Sequence, residues 1–138
     1  MKKLLIISLL LVLTIGVVVA SDVDDQLKTP DDYGPIKKGC ATYTTYSDRV
    51  IFVEKLNTPS VYFENSTKYL VYPVGGNIYY FEDTAFDLYG YCEAVEINGV
   101  TYAISIYQHS KLSGSEEKLL LEHMKEFNKI NNLTPITP

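Results

Sequence analysis

Tryptophan is absent from this 138-residue chain, cysteine and histidine occur twice each, and the basic residues form no cluster larger than the pairs Lys2-Lys3 and Lys37-Lys38. Seventeen acidic against twelve basic residues give a formal charge of −5. No positive face is therefore available to displace counterions from phosphates, and nucleic acid is excluded as a partner. The CxxC spacing, the serine-nucleophile elbow, the P-loop, the Rossmann glycine fingerprint and the HExxH zinc signature are also missing. With them go the familiar redox, phosphate-, dinucleotide- and zinc-dependent chemistries, and no cofactor or metal is expected. Glycine (8) and proline (6) are too few and too irregular for a collagenous or low-complexity chain. What remains is an ordinary mixture, 46% apolar and 21% charged, at a length that packs one domain and not two.

The strongest signal is at the start. Lys2 and Lys3 precede the uncharged stretch Leu4 to Ala20, and Ser21, Asp22, Asp24 and Asp25 follow. A positive start, an apolar core and a small residue before the boundary describe an export signal cleaved after Ala20. The stretch also approaches the roughly 17 to 25 residues that span a bilayer, so an uncleaved anchor over residues 4–20 is the alternative. Either reading predicts a secreted or cell-surface protein that touches membrane only through this segment. Loss of residues 1–20 removes two lysines and no acid, leaving a mature charge of −7.

Export puts Cys40 and Cys92 where thiols oxidise, and one bridge between them is the simplest expectation. Closing a loop of 51 intervening residues restricts the unfolded chain by about 4 kcal/mol in the chain-entropy treatment. Two buried free thiols are the alternative.

Residues 21–39 are acidic, carry proline and glycine and show no apolar periodicity, which predicts a flexible solvated linker. Asp22, Asp24 and Asp25 lack the glycine and closing glutamate of a calcium loop. From 40 to 131 the chain predicts an α+β domain, with an antiparallel tyrosine-rich β-sheet of five to seven strands packed against one C-terminal α-helix. Strands are expected over Cys40–Tyr46, Val50–Leu56, Val61–Glu64, Lys68–Tyr72 and Ile78–Phe81, bounded by turn residues. The plainest hairpin is Tyr91–Ile97 and Val100–Tyr107 around Asn98-Gly99, a pair that accepts the positive backbone angles of a tight turn. Its register faces Ile97 with Val100, Val95 with Tyr102, Glu93 with Ile104 and Tyr91 with Ile106. That makes one apolar side with a single discordant acid, Glu93, which is read as a rim or bulge residue or, more sharply, as a buried carboxylate. Ser113 and Glu116 form a capping box for a helix to Ile130, with Leu120, Met124, Phe127 and Ile130 on one stripe. The tail 132–138 contains Pro135 and Pro138 and cannot continue it.

Candidate chemistry is sparse. His109, His123 and Glu93 are the residues a small hydrolase or metal enzyme would have to use, and they need to converge in one pocket. Asn65-Ser66-Thr67 and Asn132-Leu133-Thr134 are glycan acceptor sequences. Twelve tyrosines are more aromatic surface than one helix covers, which predicts phenols facing solvent or a partner.

The segments Glu96-Ile97-Asn98-Gly99-Val100-Thr101-Tyr102 and Glu126-Phe127-Asn128-Lys129-Ile130-Asn131-Asn132 resemble small exported proteins of methanogenic archaea. The resemblance covers the C-terminal third. It implies an archaeal host and an external location near a pseudomurein or S-layer envelope, and it transfers no catalytic or ligand-binding residue. The reading that follows is a noncatalytic extracellular module recognising a protein or glycan through its sheet. Its alternatives are a secreted inhibitor that inserts a strand edge or the loop Glu82–Leu88 into a partner enzyme, and the small hydrolase named above.

Overall fold

The computed structural model describes residues 27–37, 41–56 and 69–136. The expected export segment, the strand expected over Val61–Glu64, Cys40 and Asn65 lie outside the described residues. Among the described residues no helix is long and apolar enough to cross a membrane.

The described residues form one seven-stranded antiparallel sheet and one helix, an α+β architecture. The strands are β1 (Thr42–Tyr46), β2 (Arg49–Lys55), β3 (Tyr69–Gly75), β4 (Ile78–Asp83), β5 (Leu88–Ile97), β6 (Val100–Gln108) and the short β7 (Thr134–Pro135), and the helix is α1 (Gly114–Ile130). Their order across the sheet is β1-β2-β6-β5-β4-β3, with β7 paired to β5. Local chemistry sets the hairpins. Asn98 and Gly99 both hold positive φ (53° and 79°), the conformation that matches a two-residue turn to the strand twist. The β5–β6 register pairs Ile97 with Val100, Val95 with Tyr102, Glu93 with Ile104 and Tyr91 with Ile106, as the alternation predicts. Ser47 likewise turns β1 into β2 with φ 57°. The stretch Glu82–Leu88, without a regular sequence pattern, closes β4 onto β5 through Asp87 at φ 53°.

The helix caps as expected: Ser113 Oγ accepts from the Glu116 amide and the Glu116 carboxylate accepts from the Ser113 amide. Leu120, Met124 and Phe127, spaced by four and three, are fully buried against Ile51, Val95, Ile104 and Ile106. Burial of side chains this size contributes about 1.5–3 kcal/mol each, enough to hold a helix that isolated propensity would leave marginal.

Two terminal segments behave differently from the sequence reading. Within the expected linker 21–39, residues 27–37 lie along the outer edge of β1. Gly34 donates to the Thr45 carbonyl at 2.9 Å, Lys37 and Tyr43 exchange backbone hydrogen bonds, and Tyr33 enters the helix-side core at 6% exposure. A segment that inserts one ring and otherwise pairs through backbone has no apolar period to detect. In the tail, Thr134 pairs with Glu96, and the Ile136 amide donates to the Ala94 carbonyl at 2.9 Å. The ten-residue β5 outruns the six-residue β4, and β7 satisfies backbone groups that the shorter strand leaves open.

Gly90 in β5 pairs with Phe81 on one side and Tyr107 on the other, and these two rings meet across it with centroids 6.3 Å apart. A Cβ at Gly90 would fall 1.9 Å from the Ile106 carbonyl oxygen. Gly90→Ala should therefore cost about 2–3 kcal/mol or more through forced strand displacement. Urea unfolding should show this as a lower midpoint, and a change within 0.5 kcal/mol would contradict it.

Candidate functional site

Alternation divides the sheet into two unlike faces. The helix-side face carries Ile51, Val53, Tyr91, Val95, Tyr102, Ile104 and Ile106. The opposite face has small residues on its central strands, Gly90, Cys92 and Ala94 on β5 and Ala103 and Ser105 on β6, all buried. Larger side chains rise around them, from β2 and β4 and from Leu88 and Tyr107 on the central strands themselves, and the difference in height leaves a cleft of about 220 Å³ lined by Phe52, Glu54, Phe81, Asp83, Leu88, Ser105 and Tyr107. Phe52, Leu88 and Tyr107 are half-buried, so their surfaces remain available to a ligand.

The electrostatics of this cleft come from desolvation. Burial alone pushes the Glu54 carboxyl above the ordinary carboxylate range and the Tyr107 phenol above its usual value. Glu54 and Asp83 place two carboxyl groups among aromatic walls. Such a surface can accept hydrogen bonds from hydroxyl or amide donors while apolar faces of a ligand rest on Phe52 and Tyr107. The sequence signal for it was present in the run of small side chains on the second face of the β5–β6 hairpin. Phe52, Glu54, Phe81 and Asp83 come from other strands, and only the strand order brings them alongside.

The tyrosines fall mostly elsewhere. Tyr72, Tyr80 and Tyr91 are register neighbours on β3, β4 and β5 and form a ladder on the helix side, with centroids 5.1 and 5.5 Å apart. Tyr33, Tyr80, Tyr91 and Tyr102 are buried, whereas Tyr72 (46%) and Tyr46 (38%) are exposed near opposite edges of the sheet. Burial raises the Tyr33 and Tyr91 phenols to about 12. Tyr80 rises further because it also donates to the Glu82 carboxylate at 2.8 Å.

The three groups of the hydrolase alternative are not gathered. His109 is exposed beyond the end of β6, 3.1 Å from the Asp87 carbonyl oxygen and edge-on to Tyr107. His123 lies on α1, where its Nδ1 is 3.0 Å from the Tyr33 hydroxyl; burial and then the nearby Arg49 guanidinium lower its pKa. Glu93 is 4% exposed on the helix-side face and accepts from Asn128 Nδ2. It is neither a rim nor a bulge residue, since the β5–β6 register runs through it unbroken. Among the described residues no three His, Cys, Asp or Glu side chains are grouped to hold a metal.

The Cys92 side chain is buried beside Val71 and Phe81, and burial, reinforced by the neighbouring Glu93 charge, raises the pKa of its thiol to about 12. Asn132 is exposed at φ 51° in the turn after α1.

No protein-family profile, curated protein or solved structure matches the chain.

The Glu93 environment has a signed consequence for stability. Burial raises its folded pKa above the ordinary 4.5, outweighing the Asn128 hydrogen bond that lowers it. The folded state therefore holds the proton more tightly than the unfolded chain. The resulting penalty is absent below about pH 4.5, appears as pH rises through the folded value and is complete above it. Glu93→Gln should raise the urea midpoint at pH 7 more than at pH 4. An equal effect at both values would show that the carboxylate charge carries no penalty.

Proposed function

We propose that this chain is an exported, noncatalytic binding module whose ligand, a glycan strand of the cell surface, docks on the face of the sheet opposite α1. The observation that carries this reading is the cleft in which half-buried Phe52 and Tyr107 stand beside Glu54 and Asp83. Flat rings offer rigid contact to the apolar faces of sugars, and carboxylates accept from their hydroxyls. The Lys2–Asp25 pattern supports export, and the acidic mature surface suits an extracytoplasmic setting. A protein surface presenting aliphatic and amide groups is the neighbouring class that the same chemistry would accept.

Export also brings the expected Cys40–Cys92 bridge and glycans on Asn65 or Asn132 into this reading. The mass of the protein isolated from its host reports all three. A chain beginning at Ser21, lighter by two hydrogens and carrying sugar, is the expected result. An intact Met1 with both thiols free would remove export by cleavage and the bridge together.

Binding is tested by titrating the protein with soluble envelope oligosaccharides. Phe52→Thr and Glu54→Gln should each weaken binding about tenfold while the folded state is retained, because neither residue is fully buried. Retention of full affinity in both variants would move the ligand off this face. One specific feature favours the inhibitor reading: Phe86, 71% exposed in the β4–β5 loop. Phe86→Ser separates the two, since it should leave glycan binding intact and abolish insertion into a partner enzyme.

A further inference from the structure

A second cleft, of about 530 Å³, opens on the helix side of the sheet between the β3–β4 turn and α1. It shares no residue with the aromatic cleft, which lies on the other face. Val74, Ile78 and Leu121 make it aliphatic, and Glu93, Asn128 and Lys125 make it polar. Among the described residues no aromatic ring lines it, so they offer no platform for a sugar.

The polar groups are unevenly satisfied. Asn128 donates through Nδ2 to Glu93 Oε1, which fixes the amide orientation. Its buried Oδ1 then has no hydrogen-bond partner among the described residues. A buried acceptor without a donor costs about 1–3 kcal/mol, and a buried carboxylate held by a neutral amide lacks a countercharge. Both deficits call for the same thing, a positively charged donor, and an ammonium group supplies three N–H bonds and no acceptor. Lys125, exposed and three residues before Asn128 on α1, adds the opposite requirement close by. Residues three apart on a helix stand roughly 5–6 Å apart at Cβ, a separation that suits a ligand carrying both charges on neighbouring atoms.

We propose that this cleft binds a small aliphatic zwitterion of the α-amino-acid type. Its ammonium sits between Glu93 and Asn128 Oδ1, its carboxylate faces Lys125, and its hydrocarbon chain lies against Val74, Ile78 and Leu121. The site is independent of the glycan reading and stands or falls without it.

NMR titration of the purified full-length chain with norleucine, n-pentylamine and pentanoate tests the assignment. Norleucine should saturate with shifts centred on Val74, Ile78 and Leu121, pentylamine should bind more weakly, and pentanoate should not bind. Glu93→Gln should weaken norleucine about tenfold or more by removing the charge-assisted partner. Lys125→Met, on the exposed side of α1 and safe for folding, should bring norleucine down to the affinity of pentylamine. No saturation by norleucine at about 10 mM, pentanoate binding as well as norleucine, or unchanged affinity in Lys125→Met would overturn the proposal.

Discussion

The pairing of β5 with β6 is the constraint on which the rest of the molecule depends. These two strands occupy the centre of the sheet and bury both of their faces. Their Asn98-Gly99 turn admits one register only without strain. Shifting that register by one residue would send Val95, Ile104 and Ile106 to the cleft side and bring Cys92, Ala103 and Ser105 under the helix. The core beneath α1 and the cleft on the other face are therefore two consequences of one alignment. Gly90 shows how tightly the alignment is held, because the neighbouring strand approaches too closely for any side chain there.

The two faces divide the chemistry between them. The helix side takes the branched aliphatics and most of the phenols, and it also retains one acid, Glu93, held by Asn128 from α1. A buried carboxylate with a single amide partner stabilises the fold less than an apolar residue of the same shape would. Its place at a cleft between α1 and the β3–β4 turn gives the exception a chemical setting. Among the described residues no helix lies over the other face, and small central residues beneath larger neighbours shape a groove there.

Much of this was legible in the residues. The capping box at Ser113 and Glu116, the stripe Leu120-Met124-Phe127-Ile130 and the Asn-Gly hairpin each depend on neighbours within a few positions; the structure has the cap and the hairpin, and it buries the first three residues of the stripe and half-buries Ile130. Glu93 stood out as the one acid on an apolar face, and its burial follows from the register. Less was legible where partners are distant in sequence. The abundance of tyrosine pointed to some exposed phenols, and Tyr46 and Tyr72 are exposed, whereas Tyr33, Tyr80, Tyr91 and Tyr102 serve the core. Composition counts rings and does not say which face of a strand carries them. The leader around Tyr33 and the tail around Thr134 have no periodicity of their own, because both join the sheet through backbone hydrogen bonds.

The sequence alone determined the elements whose forces are local: turn angles, helix capping and the alternation that sorts residues between faces. The tertiary structure decided what those elements meet. It set β6 between β2 and β5, joined Phe52 and Glu54 to Phe81 and Asp83 across two intervening strands, and placed Asn128 over Glu93 from a separation of 35 residues. It also kept His109 and His123 on different elements with different partners. Such meetings depend on strand order and helix placement, which arise from burying the whole apolar surface at once and leave no mark in any short stretch of chain.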